Sequence, residues 1–144
     1  MYTRIVIAAV VGFALLVGAT VAPNAQGETT VWDGVYTETQ ADRGSLVYIT
    51  QCAECHGEGG LGGGMPPVLV GGAFSANFNT LSVGDLFTRN RDTMPVGNEA
   101  GLSRQEYVDV TAYMLRINGF PAGSEELPTR VATLNQIRYL STRP

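Results

Sequence analysis

Cys52-Ala53-Glu54-Cys55-His56 decides how the rest of this 144-residue sequence is read. These positions hold both cysteines and the only histidine of the chain. Two thiols at this spacing have three simpler readings: a small disulfide, one arm of a zinc site, or a redox pair of the thioredoxin type. A structural zinc normally takes four Cys or His ligands. The chain offers three, in one short run that cannot surround a metal tetrahedrally. A thioredoxin-type pair sits between a Val/Ile-rich strand and a helix. Here the preceding residues have a helical pattern and the following ones are rich in glycine.

The reading that uses all three side chains is attachment of one haem c. The two thiols add to the vinyl groups of the macrocycle, and the adjacent imidazole is placed to bind the iron on one face. Cys52 and Cys55 are then the covalent thioether anchors, and His56 is an axial iron ligand.

What fills the other axial position follows by elimination. The chain has no second histidine and no lysine, which leaves methionine as the usual side-chain candidate. Met1 lies in the leader, and Met114 sits on a helix face read as core. Met65 follows His56 so closely that its loop would have to wrap around the ring edge. Met94 stands much further on, before Pro95 and Gly97 in a turn able to present a side chain, and is the expected second ligand. Thioether sulfur is a soft ligand that favours reduced iron, so this pair raises the potential relative to two imidazoles. The Pro67 carbonyl, judged by its loop position, is the candidate acceptor for the other His56 nitrogen.

Residues 1–27 read as an export signal: Arg4, an apolar run from Ile5 to Ala22, then small residues, with cleavage after Ala25 or Gly27. The run is at the lower limit of about 18 residues for a spanning helix, so retention as a membrane anchor is the alternative. Residues 28–144 read as a single domain with a C-terminal tail. All nine basic residues are arginine, and without Arg4 eight face 13 acidic side chains. No basic face is available to neutralise phosphates, which excludes nucleic-acid binding. Partner proteins must dock on apolar, acidic or arginine-bearing surface.

The body reads as all-α. Thr37 with Gln40 forms a capping-box pattern opening a helix to about Cys52, and Gly44, Tyr48 and Cys52 share one face. Tyr48 reads simply as core. Gly57 to Gly72 is too rich in glycine and proline for regular structure, and without a Walker lysine or a preceding strand it is not a phosphate loop. Ser82 opens a short helix ending near Met94, because Pro95 disfavours helical geometry in the residue before it. Ser103 with Glu106 opens a helix to Asn118 whose inner face carries Tyr107, Val110, Met114 and Ile117. Beyond Pro121, Leu127, Val131, Leu134 and Ile137 suggest a tail packed on the body.

From Thr37 to Phe120 these residues resemble the class I monohaem cytochromes c. The resemblance rests on Gly44 and Tyr48 leading into the Cys-x-x-Cys-His run, on Pro67-Val68-Leu69, on Met94-Pro95 and on Ala112-Tyr113. It implies a class I cytochrome c fold, with small helices and loops around one haem, the terminal helices crossing where Gly44 meets Tyr113. The flanks, Val31 to Thr37 and Asn118 to Pro128, are similar to cytochromes found beside or fused to bacterial quinoprotein alcohol dehydrogenases. The implied function is a periplasmic one-electron carrier and not an enzyme, between a dehydrogenase donor and an oxidase or cytochrome acceptor. The competing classes are a haem enzyme, such as a peroxidase or sulfur-compound oxidase, and a membrane-anchored cytochrome subunit of a respiratory complex. Mass spectrometry of the mature protein should find one haem added through both thiols; a chain carrying only a disulfide would contradict the whole reading.

Overall fold

The computed structural model describes residues 27–62, 64 and 67–144. The export signal expected over residues 1–27 lies outside them except for Gly27, and so does Met65. Among the described residues six α-helices follow in order: α1 Glu38–Gln51, α2 Ala53–His56, α3 Gly71–Phe78, α4 Val83–Thr93, α5 Arg104–Ile117 and α6 Val131–Leu134. Among the described residues β-structure is confined to two isolated bridges, from Arg138 to Thr30 and to Ser82. The fold is all-α, as the class I cytochrome c resemblance implies.

Local chemistry starts the helices. Ser103 accepts from the Glu106 amide at 3.2 Å, and the Glu106 carboxylate accepts from the Ser103 amide at 2.7 Å. Ser82 and Asp85 form the same reciprocal box at the start of α4. Hydrogen bonds from the Ser82 hydroxyl and amide hold the Asp85 carboxyl below its ordinary range. That cap is therefore intact above the usual carboxylate pKa and is lost as the pH falls through the lowered value.

The box expected at α1 forms by half. Thr37 accepts from the Gln40 amide at 3.1 Å, but the Gln40 side chain does not return the bond. It is fully buried, donating from Nε2 to the Leu127 carbonyl at 3.1 Å and accepting from the Leu127 amide at 2.7 Å. A buried backbone residue needs both its polar groups satisfied, and a primary amide can do so from one side.

α1 and α5 cross at Gly44. A Cβ there would collide with the backbone carbonyl of Asp109 and come within 3.0 Å of the Tyr113 Cβ. Just beyond, the Tyr48 and Tyr113 rings lie 5.0 Å apart between centroids. The small residue and the aromatic meet as the resemblance implies, although the tightest contact is with backbone.

Two elements depart from the sequence expectation. α3 begins at Gly71, inside the stretch read as irregular, because Phe74 and Phe78 at i and i+4 are both buried and anchor one face. Glu58–Gly60 within that stretch also makes a single 3-10 turn. The two flanks pair with one another around the body. The Val31 amide donates to the Arg138 carbonyl at 2.9 Å, the Arg138 amide to the Thr29 carbonyl at 2.8 Å, and the Tyr36 hydroxyl to the Phe120 carbonyl at 2.6 Å. Leu127, Leu134 and Ile137 are buried, as the tail pattern predicts.

Gly44→Ala should lower the unfolding free energy by about 1–3 kcal/mol, because the facing atom is main chain and cannot rotate away. Denaturant titration checks this, and an unchanged midpoint would contradict the helix crossing.

Candidate functional site

α1 ends at Gln51, and Cys52, with φ −127° and ψ −36°, breaks the chain into α2. The His56 amide donates to the Cys52 carbonyl at 2.9 Å, so the pentapeptide is a single turn. Along it Cys52 is half-buried, Cys55 exposed and His56 buried. Burial, with a smaller contribution from Cys55, pushes the unattached Cys52 thiol up to about 11, so at neutral pH it is uncharged in an apolar setting.

Three contacts hold this turn. The Tyr48 hydroxyl donates to the Gly57 carbonyl at 2.7 Å, tying α1 to the residue after His56. Burial, helped by Cys52 and Tyr113, pushes the Tyr48 phenol up to about 12, and it stays a donor across the ordinary pH range. Gly57 has φ +74°, and the chain reverses there so that the Gly62 amide donates to the His56 carbonyl at 2.7 Å. Nδ1 of His56 lies 2.9 Å from the Pro67 carbonyl oxygen. A carbonyl can only accept, so Nδ1 carries the hydrogen and Nε2 keeps its lone pair for a metal.

The loop bearing Pro67 is pinned from α5. Asn118, at the end of that helix, donates from Nδ2 to the Leu69 carbonyl at 2.9 Å and accepts from the Gly71 amide at 3.1 Å. In the sequence Asn118 is the last residue of a helix and the first of a flank, and nothing local indicates the loop it meets.

At Met94 the backbone leaves α4 in extended geometry, with φ −136° and ψ 153°. Its amide donates to the Asn90 carbonyl at 2.9 Å, and its own carbonyl accepts from the Tyr107 hydroxyl at 2.7 Å. Met114 is 4% exposed, in agreement with the core reading, yet it also faces the site, and its sulfur accepts from Asn90 Nδ2 at 3.1 Å.

These groups converge on one cavity of about 1230 Å³ whose walls include Cys52, Cys55, His56, Pro67 and Met94. All five sequence-predicted positions are thus brought together. Most small-molecule sites measure about 300–1,000 Å³, so this one has room for a large macrocycle. Phe74, Phe78, Leu69 and Val110 make the wall apolar. Among the described residues no three His, Cys, Asp or Glu side chains gather into a cage for a bare metal ion. Two thiols and an imidazole with a free nitrogen, beside an apolar cavity that Met94 and Met114 also line, are groups that could tether a haem and bind its iron.

Comparison with known proteins follows the same line. A family model described as cytochrome c oxidase, cbb3-type, subunit III, matches residues 39–114. The cbb3-type cytochrome c oxidase subunit CcoP of Rhodobacter capsulatus is 33% identical over 91 residues, covering 55% of this chain and 31% of that protein. The chain thus spans about a third of that relative's length. The crystal structure of the sulfane dehydrogenase SoxCD from Paracoccus pantotrophus superposes with a TM-score of 0.53 at 21% identity, covering 88% of this chain and 68% of the other. At that identity the likeness shows the fold.

Tyr48→Phe, which removes only the hydroxyl holding Gly57, should cost about 1 kcal/mol in denaturant titration. No loss would mean that the tether between α1 and the Cys-x-x-Cys-His turn carries no energy.

Proposed function

The chain belongs to the family described as cytochrome c oxidase, cbb3-type, subunit III, and on that premise we propose that it is an exported one-electron carrier rather than an enzyme. It is a cytochrome c domain of class I fold that binds covalent haem c and serves electron transfer. When bound, the haem supplies a one-electron couple at its iron.

The chain's own residues do the rest in this proposal. Cys52 and Cys55 hold the cofactor as thioethers, and His56 offers Nε2 to the iron while Pro67 fixes its tautomer and orientation. Met94, on the same cavity, would offer its thioether sulfur to the iron. Apolar side chains such as Phe74 and Val110, which line the cavity, would keep water from the bound cofactor. The observation that carries the reading is the convergence of thiols, imidazole and thioether on one cavity. Held by both His56 and Met94, the iron would be taken up by protein groups and would not bind a substrate.

The finer role extends this. Residues 28–144 act as one unit, supported by the hydrogen bonds that join both flanks around the helical body. The protein works in the periplasm, accepting from a dehydrogenase and passing electrons to an oxidase or another cytochrome. A quinoprotein alcohol dehydrogenase is one such donor, suggested by the flanking sequence. Similarity to a protein named as an oxidase subunit favours a second reading, a cytochrome subunit within a respiratory complex. No helix among the described residues is long and apolar enough to cross a membrane, so anchoring in that case would fall to the Ile5 to Ala22 run.

The carrier reading predicts slow carbon monoxide binding by the reduced protein and no appreciable peroxide turnover. Met94→Ala should abolish the weak far-red sulfur-to-iron band of the oxidised form, lower the potential and open the iron to carbon monoxide. Rapid carbon monoxide binding with peroxide turnover by the unaltered protein would favour a haem enzyme instead.

A further inference from the structure

Two methionines, Met94 and Met114, line the cavity, and the chain treats their thioethers differently. Asn90 donates to the Met114 sulfur at 3.1 Å, occupying a weak acceptor that a metal would otherwise use. Among the described residues no donor engages the Met94 sulfur. Met94 is restrained instead through its backbone, where the Tyr107 hydroxyl meets its carbonyl at 2.7 Å.

The setting of that bond gives it leverage. Tyr107 is 2% exposed and lies on α5, the helix packed at the Gly44 crossing. Its ring stands edge-on to Phe87 of α4, with 6.3 Å between centroids, so the hydroxyl is held from two helices. The segment after Met94 has little comparable support. Val96 is 81% exposed, Gly97 to Gly101 are exposed, and besides turn hydrogen bonds such as Asn98 to Pro95 one backbone bond, from the Ala100 amide to the Arg91 carbonyl, ties the loop back to α4. A lightly held loop opens locally unless its first residue is anchored.

Resting on the Met94 assignment proposed above, the geometry points to Tyr107 as a positioning residue that keeps the Met94 thioether at the iron by holding the Met94 carbonyl. Opening of the loop is then the step that admits any added ligand to the iron, and the hydroxyl sets how often it occurs. Loss of one net hydrogen bond raises the open population about two- to tenfold.

The test is stopped-flow association of imidazole with the oxidised, haem-loaded protein. Tyr107→Phe keeps the ring against Phe87 and removes only the donor; it should retain the far-red sulfur band yet take up imidazole about fivefold faster. Tyr139→Phe is the control: it removes another buried hydroxyl, 3.1 Å from Ser75 and away from the loop, and should leave the rate unchanged. Phe87→Leu, which loosens the Tyr107 ring without deleting the hydroxyl, should move the rate in the same direction as Tyr107→Phe and serves if that variant does not load haem. Wild-type rates in the Tyr107 and Phe87 variants, or equal acceleration by Tyr139→Phe, would overturn the positioning role. If Met94→Ala keeps the sulfur band, the Met94 assignment fails and this inference with it. If Met94→Ala loses the band while Tyr107→Phe behaves as wild type, only the inference fails.

Discussion

The backbones of α1 and α5 meet at Gly44 with no room for a Cβ, and the rest of the structure is referenced to that contact. From α1 the chain passes directly into the Cys-x-x-Cys-His turn, steadied by the Tyr48 hydroxyl on Gly57. From α5 come Tyr107 to the Met94 carbonyl and Asn118 to the loop that bears Pro67. A change in the distance between these helices would therefore move all the candidate iron ligands relative to one another. Interiors are close-packed, so such a shift could not be absorbed locally.

Charge and tail reinforce the same frame. Arg43 on α1 lies 3.0 Å from Asp109 on α5 and 2.8 Å from Glu126 in the tail, while Gln40 holds Leu127 by both its backbone groups. Asp109 is almost wholly buried, so its pairing matters more than an exposed bridge of the same length would. The sequence after Phe120 thus closes over the α1–α5 crossing instead of trailing from it. Burial of Leu127, Leu134 and Ile137 supplies the apolar share of that closure.

Much of this was legible from residues alone, because the informative signals are local. A capping serine, a proline after Met94 and a glycine among larger helical residues each act within one or two turns. What was not legible depends on groups distant in the chain. Gln40 matches a capping box in sequence, yet is spent on Leu127, which no local pattern could indicate. α3 was hidden by its two leading glycines, since low propensity there is outweighed by the burial of Phe74 and Phe78. Tyr48 and Tyr107 carry the periodicity of core residues and are buried as such, but the work of each lies in a hydroxyl whose partner only the fold supplies. Met114 likewise reads as core and packs as core, while its sulfur lies on the cavity wall under Asn90.

The central claim is that His56 and Met94 together ligate the haem iron. Proton NMR of the reduced protein, with methionine methyl groups labelled and assigned by substitution, addresses it directly. One methionine methyl should lie far upfield, displaced by the ring current of the macrocycle, and should vanish in Met94→Leu alone. A spectrum with no upfield methyl, or one whose upfield methyl belongs to Met114 or Met65, would contradict the account.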